Sequence, residues 1–103
     1  MNIVIFITSA SMKEANKIAY ALVEAKLVAC VNIINKIESV FFWDKKTESA
    51  KEVLLIAKSK RAKFSKIARL VRSLHSYQVP EIIALPIIDG YKPYLRWVDE
   101  SLR

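Results

Sequence analysis

Apolar and polar positions along the chain follow several distinct rhythms. Asn2 to Thr8 (NIVIFIT) is apolar at nearly every position, as in a strand covered on both faces. From Ser11 the period becomes helical: Ala15, Ile18, Ala19, Leu22 and Val23 recur on one side, Lys13, Asn16, Lys17 and Glu24 on the other, and the helix ends near Lys26. Ser11-Met12-Lys13-Glu14 has the form of a capping box, in which the Ser and Glu side chains satisfy each other's free backbone N–H groups. Leu27 to Trp43 (LVACVNIINKIESVFFW) and Glu52 to Lys58 (EVLLIAK) are rich in β-branched and aromatic residues and lack a helical period. They read as the arms of one long hairpin, joined by the polar segment Asp44 to Lys51. Arg61 to His75 is helical again, with Phe64, Ile67, Ala68, Val71 and Leu74 opposite Arg61, Lys66, Arg69 and Arg72. Ser76 to Glu81 is a connector. Ile82 to Ile88 is a fourth strand whose Pro86 donates no ladder hydrogen bond, which predicts an edge position or an early end. After the Asp89-Gly90 turn signal, Pro93 opens a last helix, to about Leu102, that buries Tyr94, Leu95, Val98 and Leu102.

This order, βαββαβ plus a terminal helix, predicts an α+β fold. Two right-handed crossover helices on one side of a four-stranded antiparallel sheet form the ferredoxin-like arrangement, and the other sheet face stays open in a single chain. The first hairpin arm has 17 residues. At about 3.3 Å each it would span about 56 Å, against about 35 Å for a compact domain of this length. Either a bulge or bend breaks it, with Asn35-Lys36 as the place, or its tip projects and another subunit covers it. Val40, Phe41, Phe42 and Trp43 make both faces of the tip apolar, which suits a partner better than water. Closed symmetry makes a ring of copies the economical assembly.

The chain of 103 residues, 53% apolar, is predicted to form one domain, 1–103. Its lone cysteine, Cys30, excludes an internal disulfide and suits a reducing compartment. The N-terminal apolar run lacks a basic start and reads as a buried strand rather than a secretion signal, and no run approaches the about 20 residues of a membrane span. A soluble cytoplasmic protein is the expectation. The net charge of +7 is concentrated in Lys58, Lys60, Arg61, Lys63, Lys66, Arg69 and Arg72, with no acid between Val53 and Pro80. A solvated helix face is the plain reading, and a nucleic-acid or anion-binding module over 58–72 is the alternative.

No catalytic signature is present: the only glycine is Gly90, and there are no paired cysteines. The chain is therefore expected not to be an enzyme. Cys30, in mid-strand, reads as a small buried hydrophobe rather than a nucleophile. The segment His75 to Glu81 (HSYQVPE) gathers the only imidazole, a phenol and a carboxylate on a connector, where function collects. His75 with Glu81 or a thiolate suits a borderline divalent metal, but one His and one Cys are too few for a closed site in one chain. A site shared between subunits and a hydrogen-bonded His at a helix end both stay open. Trp43, Tyr94 and Trp97 are packing residues or walls of a pocket between subunits.

Over nearly its whole length the chain resembles the CutA family of divalent-cation tolerance proteins. The resemblance is carried by IAYALVEAKLVACVNI (18 to 33), FFW (41 to 43), EVLLIAKS (52 to 59), HSYQVPEIIALPI (75 to 87) and YLRWV (94 to 98). It implies a ferredoxin-like homotrimer, cytoplasmic in bacteria, associated with tolerance to copper and other divalent cations. It requires no cofactor and offers copper or another divalent cation as candidate ligand. It puts Cys30, Trp43, Lys58, His75, Tyr77, Pro80, Glu81, Tyr94 and Trp97 at signature positions. Of these, Trp43, Lys58, Tyr77, Glu81, Tyr94 and Trp97 are expected at a ligand cleft between subunits, with His75 and Cys30 as metal ligands. Four departures stand out. Ser76 replaces the usual Pro, which should loosen the connector; Asp44-Lys45-Lys46 stands for E-G-K; Asn35 holds a place often taken by Pro; and Ile7 and Leu74 stand where some members carry a further Cys or His for copper. A trimeric small-ligand sensor of the PII type has a similar subunit plan, but the chain lacks phosphate-cradling glycines.

Overall fold

β1 (Asn2–Ser9) lies between two antiparallel neighbours, the place where a strand apolar on both faces finds cover. In the computed structural model, which describes residues 1–103, it is followed by α1 (Met12–Glu24), β2 (Cys30–Trp43), β3 (Lys46–Lys60) and one 3-10 turn (Arg61–Lys63). Then come α2 (Phe64–Leu74), β4 (Ile82–Pro86) and α3 (Lys92–Ser101). The sheet order is β2-β3-β1-β4, antiparallel throughout, as in the ferredoxin-like fold. β4 is an edge strand, and it stops at Pro86, opposite Ile3, two residues before the expected Ile88.

Ile3, Ile5 and Ile7 of β1 and Val53, Leu55 and Ala57 of β3 share the face that meets Ile18 and Leu22 of α1 and Ile67 and Val71 of α2. Each large side chain so removed from water contributes about 1.5–3 kcal/mol, so alternate positions on two strands suffice to hold both helices. Val23, expected in this stripe, is exposed. α1 ends at Glu24, and Lys26 closes it in a left-handed conformation, φ 56°. The Lys26 N–H bonds to Val23 O and the Leu27 N–H to Leu22 O, the Schellman pair without its usual glycine.

The other face carries Val4, Phe6, Leu54, Ile56, Ile83 and Leu85. α3 covers only one end of it, where Val98 and Leu102 pack on Ala29 and Asp99 accepts a hydrogen bond from Asn2 at 3.0 Å. Tyr94, expected to be buried here, is half-exposed.

The hairpin differs from expectation in its second arm. Only Asp44 and Lys45 form the turn, both with left-handed φ (50° and 63°) as a type I′ turn requires, and Lys46 to Lys51 continue the strand. These polar residues pair one for one with the aromatic arm, Trp43 opposite Lys46 and Phe41 opposite Glu48, so cross-strand pairing overrides their weak strand preference. A bulge lies at Asn35-Lys36: Ile34 opposes Leu54, Ile37 opposes Glu52, and Lys36 adopts φ 62°. The tip still stretches the molecule to 44 Å along one axis, against 25 and 23 Å along the others.

Candidate functional site

The bulge sets the chemistry of the hairpin tip. Before it, Cys30, Asn32 and Ile34 share the open face with Lys58, Ile56 and Leu54. The extra residue shifts the phase by one, so beyond it Ile37, Ser39, Phe41 and Trp43 share that face with Glu52, Ala50, Glu48 and Lys46. Without the bulge Val40 and Phe42 would stand there instead.

β1 ends at Ser9, opposite Val53, so Glu52 has no strand neighbour on that side. Tyr77 of the connector reaches into the gap, and its hydroxyl donates to Glu52 Oε2 at 2.7 Å. Burial, the hydrogen bond to Glu52 and the negative charges of Glu52 and Glu14 push the Tyr77 phenol up to about 12, so at neutral pH it keeps the proton it donates. Glu52 is only 9% exposed, and no lysine, arginine or histidine lies within 4.0 Å of it: the acids approached so closely are Asp99, by Lys60, and Glu14, by the His75 ring. Above this pair opens a cavity of about 950 Å³, walled by one face of the hairpin and by Tyr77 to Val79 and Glu81 of the connector. Glu48, Glu52 and Glu81 line it, as do Phe41, Trp43 and Tyr77, and no basic side chain does.

The connector is held from below by His75 and Glu14. The His75 side chain is fully buried; Nδ1 accepts from the Tyr77 N–H at 3.0 Å, so Nε2 carries the proton and donates to Thr8 O at 2.7 Å. Glu14 caps less of its own helix than the capping box predicts. Ser11 Oγ accepts from the Glu14 N–H, but the carboxylate turns away to accept from Ser9 Oγ at 2.9 Å and from the Ser76 N–H at 2.9 Å. Burial opposes ionisation of Glu14, yet the hydrogen bonds from Ser76 and Ser9, with His75 nearby, hold its pKa below the ordinary 4.5. Ser76 therefore ties the connector down through an N–H that a proline would lack, rather than loosening it.

The predicted cleft residues fall into two groups. Trp43, Tyr77 and Glu81 come together at the cavity. Lys58, Tyr94 and Trp97 do not: they gather with Cys30 at the opposite end of the open face, six β3 residues from Glu52, or about 20 Å. There the Cys30 thiol lies 3.5 Å from the Tyr94 hydroxyl, Lys58 donates to Asn32, and the Tyr94 and Trp97 rings are 5.6 Å apart. The hydrogen bond with Cys30, and then burial, push Tyr94 up to about 12.

The two expected metal ligands, Cys30 and His75, lie apart within one chain: Cys30 opens β2 opposite Lys58, whereas His75 caps the C-terminal end of α2 outside the sheet, with both ring nitrogens engaged. No set of three or more His, Cys, Asp and Glu side chains is disposed to hold a metal ion, so this donor set does not fit a metal centre within one chain. The basic cluster also disperses. Lys58 belongs to the open face, Lys60 lies 3.6 Å from Asp99, and Arg61, Lys66, Arg69 and Arg72 are exposed on the 3-10 turn and α2.

Sequence reasoning missed Glu48, Glu52 and Phe41 as cleft residues. The available signal was Glu52 itself, an acid on the same strand parity as Leu54 and Ile56.

A family model, the CutA1 divalent ion tolerance protein, matches residues 3–101. The chain belongs to the CutA family. It is 45% identical over 98 residues to the divalent-cation tolerance protein CutA of Archaeoglobus fulgidus, covering 95% of each chain, and 43% identical to that of Thermus thermophilus, covering 98% of each. The CutA relatives of plants and animals are longer, and the chain spans 56% of chloroplastic CutA from Arabidopsis thaliana. Among solved structures, the periplasmic divalent cation tolerance protein CutA of A. fulgidus superposes with a TM-score of 0.97 at 44% identity over the whole of both chains. The T. thermophilus CutA1 superposes with 0.96 at 42% identity over 98% of both. These likenesses fix the ferredoxin-like CutA subunit fold.

Proposed function

We propose that the protein is a non-enzymatic, cytoplasmic homotrimer that serves divalent-cation tolerance by holding a positively charged ligand in the hairpin cleft. The observation that carries this reading is Glu52: a carboxylate nine-tenths buried, without a basic partner, facing a cavity that Glu48 and Glu81 also line in a chain of net charge +7. A local inversion of charge in a concave, aromatic-walled space attracts cations. The trimer draws support from the open face, where Ile34, Ile83 and Leu85 are about half exposed, and from Phe42 at the tip, 73% exposed. Both are apolar surface, on opposite faces of the sheet and hairpin, that further copies of the chain would cover. The single thiol suits a reducing compartment.

Light scattering at micromolar concentration should give about three times the subunit mass of 11.8 kDa, and a stable monomer overturns the assembly. Calorimetric titration with copper(II), a divalent cation the cleft would attract, should show binding weakened by Glu52→Gln. His75→Gln, which keeps a donor toward Thr8, should leave it unchanged. Equal copper(II) affinity in the wild type and Glu52→Gln removes the cleft from metal handling.

A further inference from the structure

The positive charge of the protein is gathered on one side. Segments 11–26 and 61–76, which carry α1 and α2 with their flanks, hold eight of the 17 lysines and arginines but two of the 10 acids, so six of the seven net charges lie on the helix layer. The other acids lie on the hairpin, the connector and the stretch from Asp89 to Glu100. Of the two helix acids, Glu14 turns inward to Ser9 and Ser76, which leaves only Glu24, at the C-terminal end of α1, exposed. Lys13 and Lys17 of α1 and Lys66, Arg69 and Arg72 of α2 are all exposed, opposite the buried stripes of Ile18 and Leu22 and of Ile67 and Val71. The acids approached within 4.0 Å by a base are Asp99, by Lys60, and Glu14, by the His75 ring, so none of these five cations is paired.

Solubility alone does not account for the pattern. Like charges at i,i+3 and i,i+4, as in Lys13 with Lys17 and Arg69 with Lys66 and Arg72, destabilise a helix, and Arg61, Lys63 and Lys66 oppose the dipole at the start of α2, where no acid stands. A surface that repels itself is stabilised by a polyanion. Glu14 accepts from the Ser76 N–H, so α2 ends where α1 begins, and the helices set two rows of cations side by side, their axes about 8–10 Å apart. The layer lies on the side of the sheet away from the open face, so an assembly through that face leaves it outward.

Duplex DNA suits this surface better than other polyanions. A helix with its side chains is about 10–12 Å across and the B-form major groove about 12 Å wide, whereas side chains cannot read the narrow A-form groove of RNA. Phosphates line both walls of the groove, one charge per about 1.7 Å of duplex, which gives the second row of cations its own partners. A single strand calls for a platform of aromatic rings, and Tyr20 is the one largely exposed ring on the layer. A lipid surface calls for large apolar side chains among the cations, where α2 exposes Ala62, Ser65 and Ser73.

We propose that the α1–α2 face docks on the phosphate backbone of duplex DNA, with Lys66, Arg69 and Arg72 along the major groove and Lys13 and Lys17 on the adjoining strand, independently of base sequence. This surface is separate from the hairpin cleft.

The test is fluorescence anisotropy of a labelled DNA duplex of about 20 base pairs, titrated with the full-length protein between about 50 and 200 mM sodium chloride. Five phosphate contacts predict a slope of about −4.5 in log affinity against log salt, a loss of several hundredfold over that range. Lys66→Gln with Arg69→Gln should reduce the slope by about 2 and weaken binding at least about tenfold at the lower salt. Lys92→Gln with Arg96→Gln removes the same charge from α3 and should change affinity by less than about threefold; all four positions are exposed, so folding is not at stake. No duplex binding at the lower salt overturns the proposal, and an equal loss in both double variants, which net charge alone would give, does so too. Tighter binding to a single strand of the same length, to duplex RNA or to phosphatidylserine vesicles assigns the face to another partner and refutes it.

Discussion

Tyr77→Phe isolates the bond on which the cleft floor depends. The substitution keeps the ring, and hence its packing 4.8 Å from the His75 ring, and deletes only the hydroxyl that donates to Glu52. Glu52 would stay nine-tenths buried with no donor in the chain, because no base stands near it. A hydrogen bond to a charged group contributes about 1.5–3 kcal/mol, and a buried carboxylate left without one costs a comparable amount, so the expected loss of stability is about 2 kcal/mol. Urea denaturation at pH 7 measures it, at one fixed protein concentration because an oligomer's stability follows mass action. A cycle with Glu52→Gln attributes the loss to the pair. Since the residues touch, their coupling should exceed about 0.5 kcal/mol. Alkali supplies an independent readout. The Tyr77 pKa is raised from 10.0 to about 12 in the folded protein, so its contribution is present below pH 10 and disappears as pH rises toward 12. Wild type should lose stability over that window more steeply than Tyr77→Phe, with Tyr94 contributing equally to both. A loss below about 0.5 kcal/mol, or no coupling with Glu52, would refute the account of the cleft floor.

Two further outcomes follow from the geometry. Deleting Lys36 removes the extra residue, and with Trp43 still opposite Lys46 across the turn an unbulged strand keeps Ile37, Ser39, Phe41 and Trp43 on the open face. Side-chain nuclear Overhauser contacts between Phe41 and Glu48 should therefore persist, and their replacement by contacts from Phe42 would show that the turn does not hold the register. Glu14 titrates below 4.5 in the folded state, so its contribution is present above the ordinary carboxylate pKa and disappears as pH falls through the lowered value. Thermal melts between pH 6 and 2 should therefore show a steeper acid decline for wild type than for Glu14→Gln, and parallel declines would remove Glu14 from the connector's support.

Much of the fold was legible in the chain. Ile3, Ile5 and Ile7 announced a central strand, Ile18 and Leu22 a helix face, and Pro86 an edge, because burial acts on each element's own period whatever its neighbours are. The polar arm from Lys46 to Lys51 was not legible, since its strand conformation comes from the aromatic residues opposite rather than from its own side chains. The site was legible only in part. Tyr77, Glu81 and Trp43 were singled out and do meet, whereas the hydrogen bonds by which both ring nitrogens of His75 hold the connector depend on Thr8, far away in the chain.

What the sequence determined by itself, then, was the identity and order of the elements, the CutA kinship, and the place of the bulge at Asn35-Lys36. What only the tertiary structure decided was which side chains share a space. A one-residue bulge reverses which half of the tip faces Glu52, and the end of β1 at Ser9 admits Tyr77 beside it. Strand parity and the burial of a charge depend on what lies across the sheet, and that information is distributed over residues far apart in the chain.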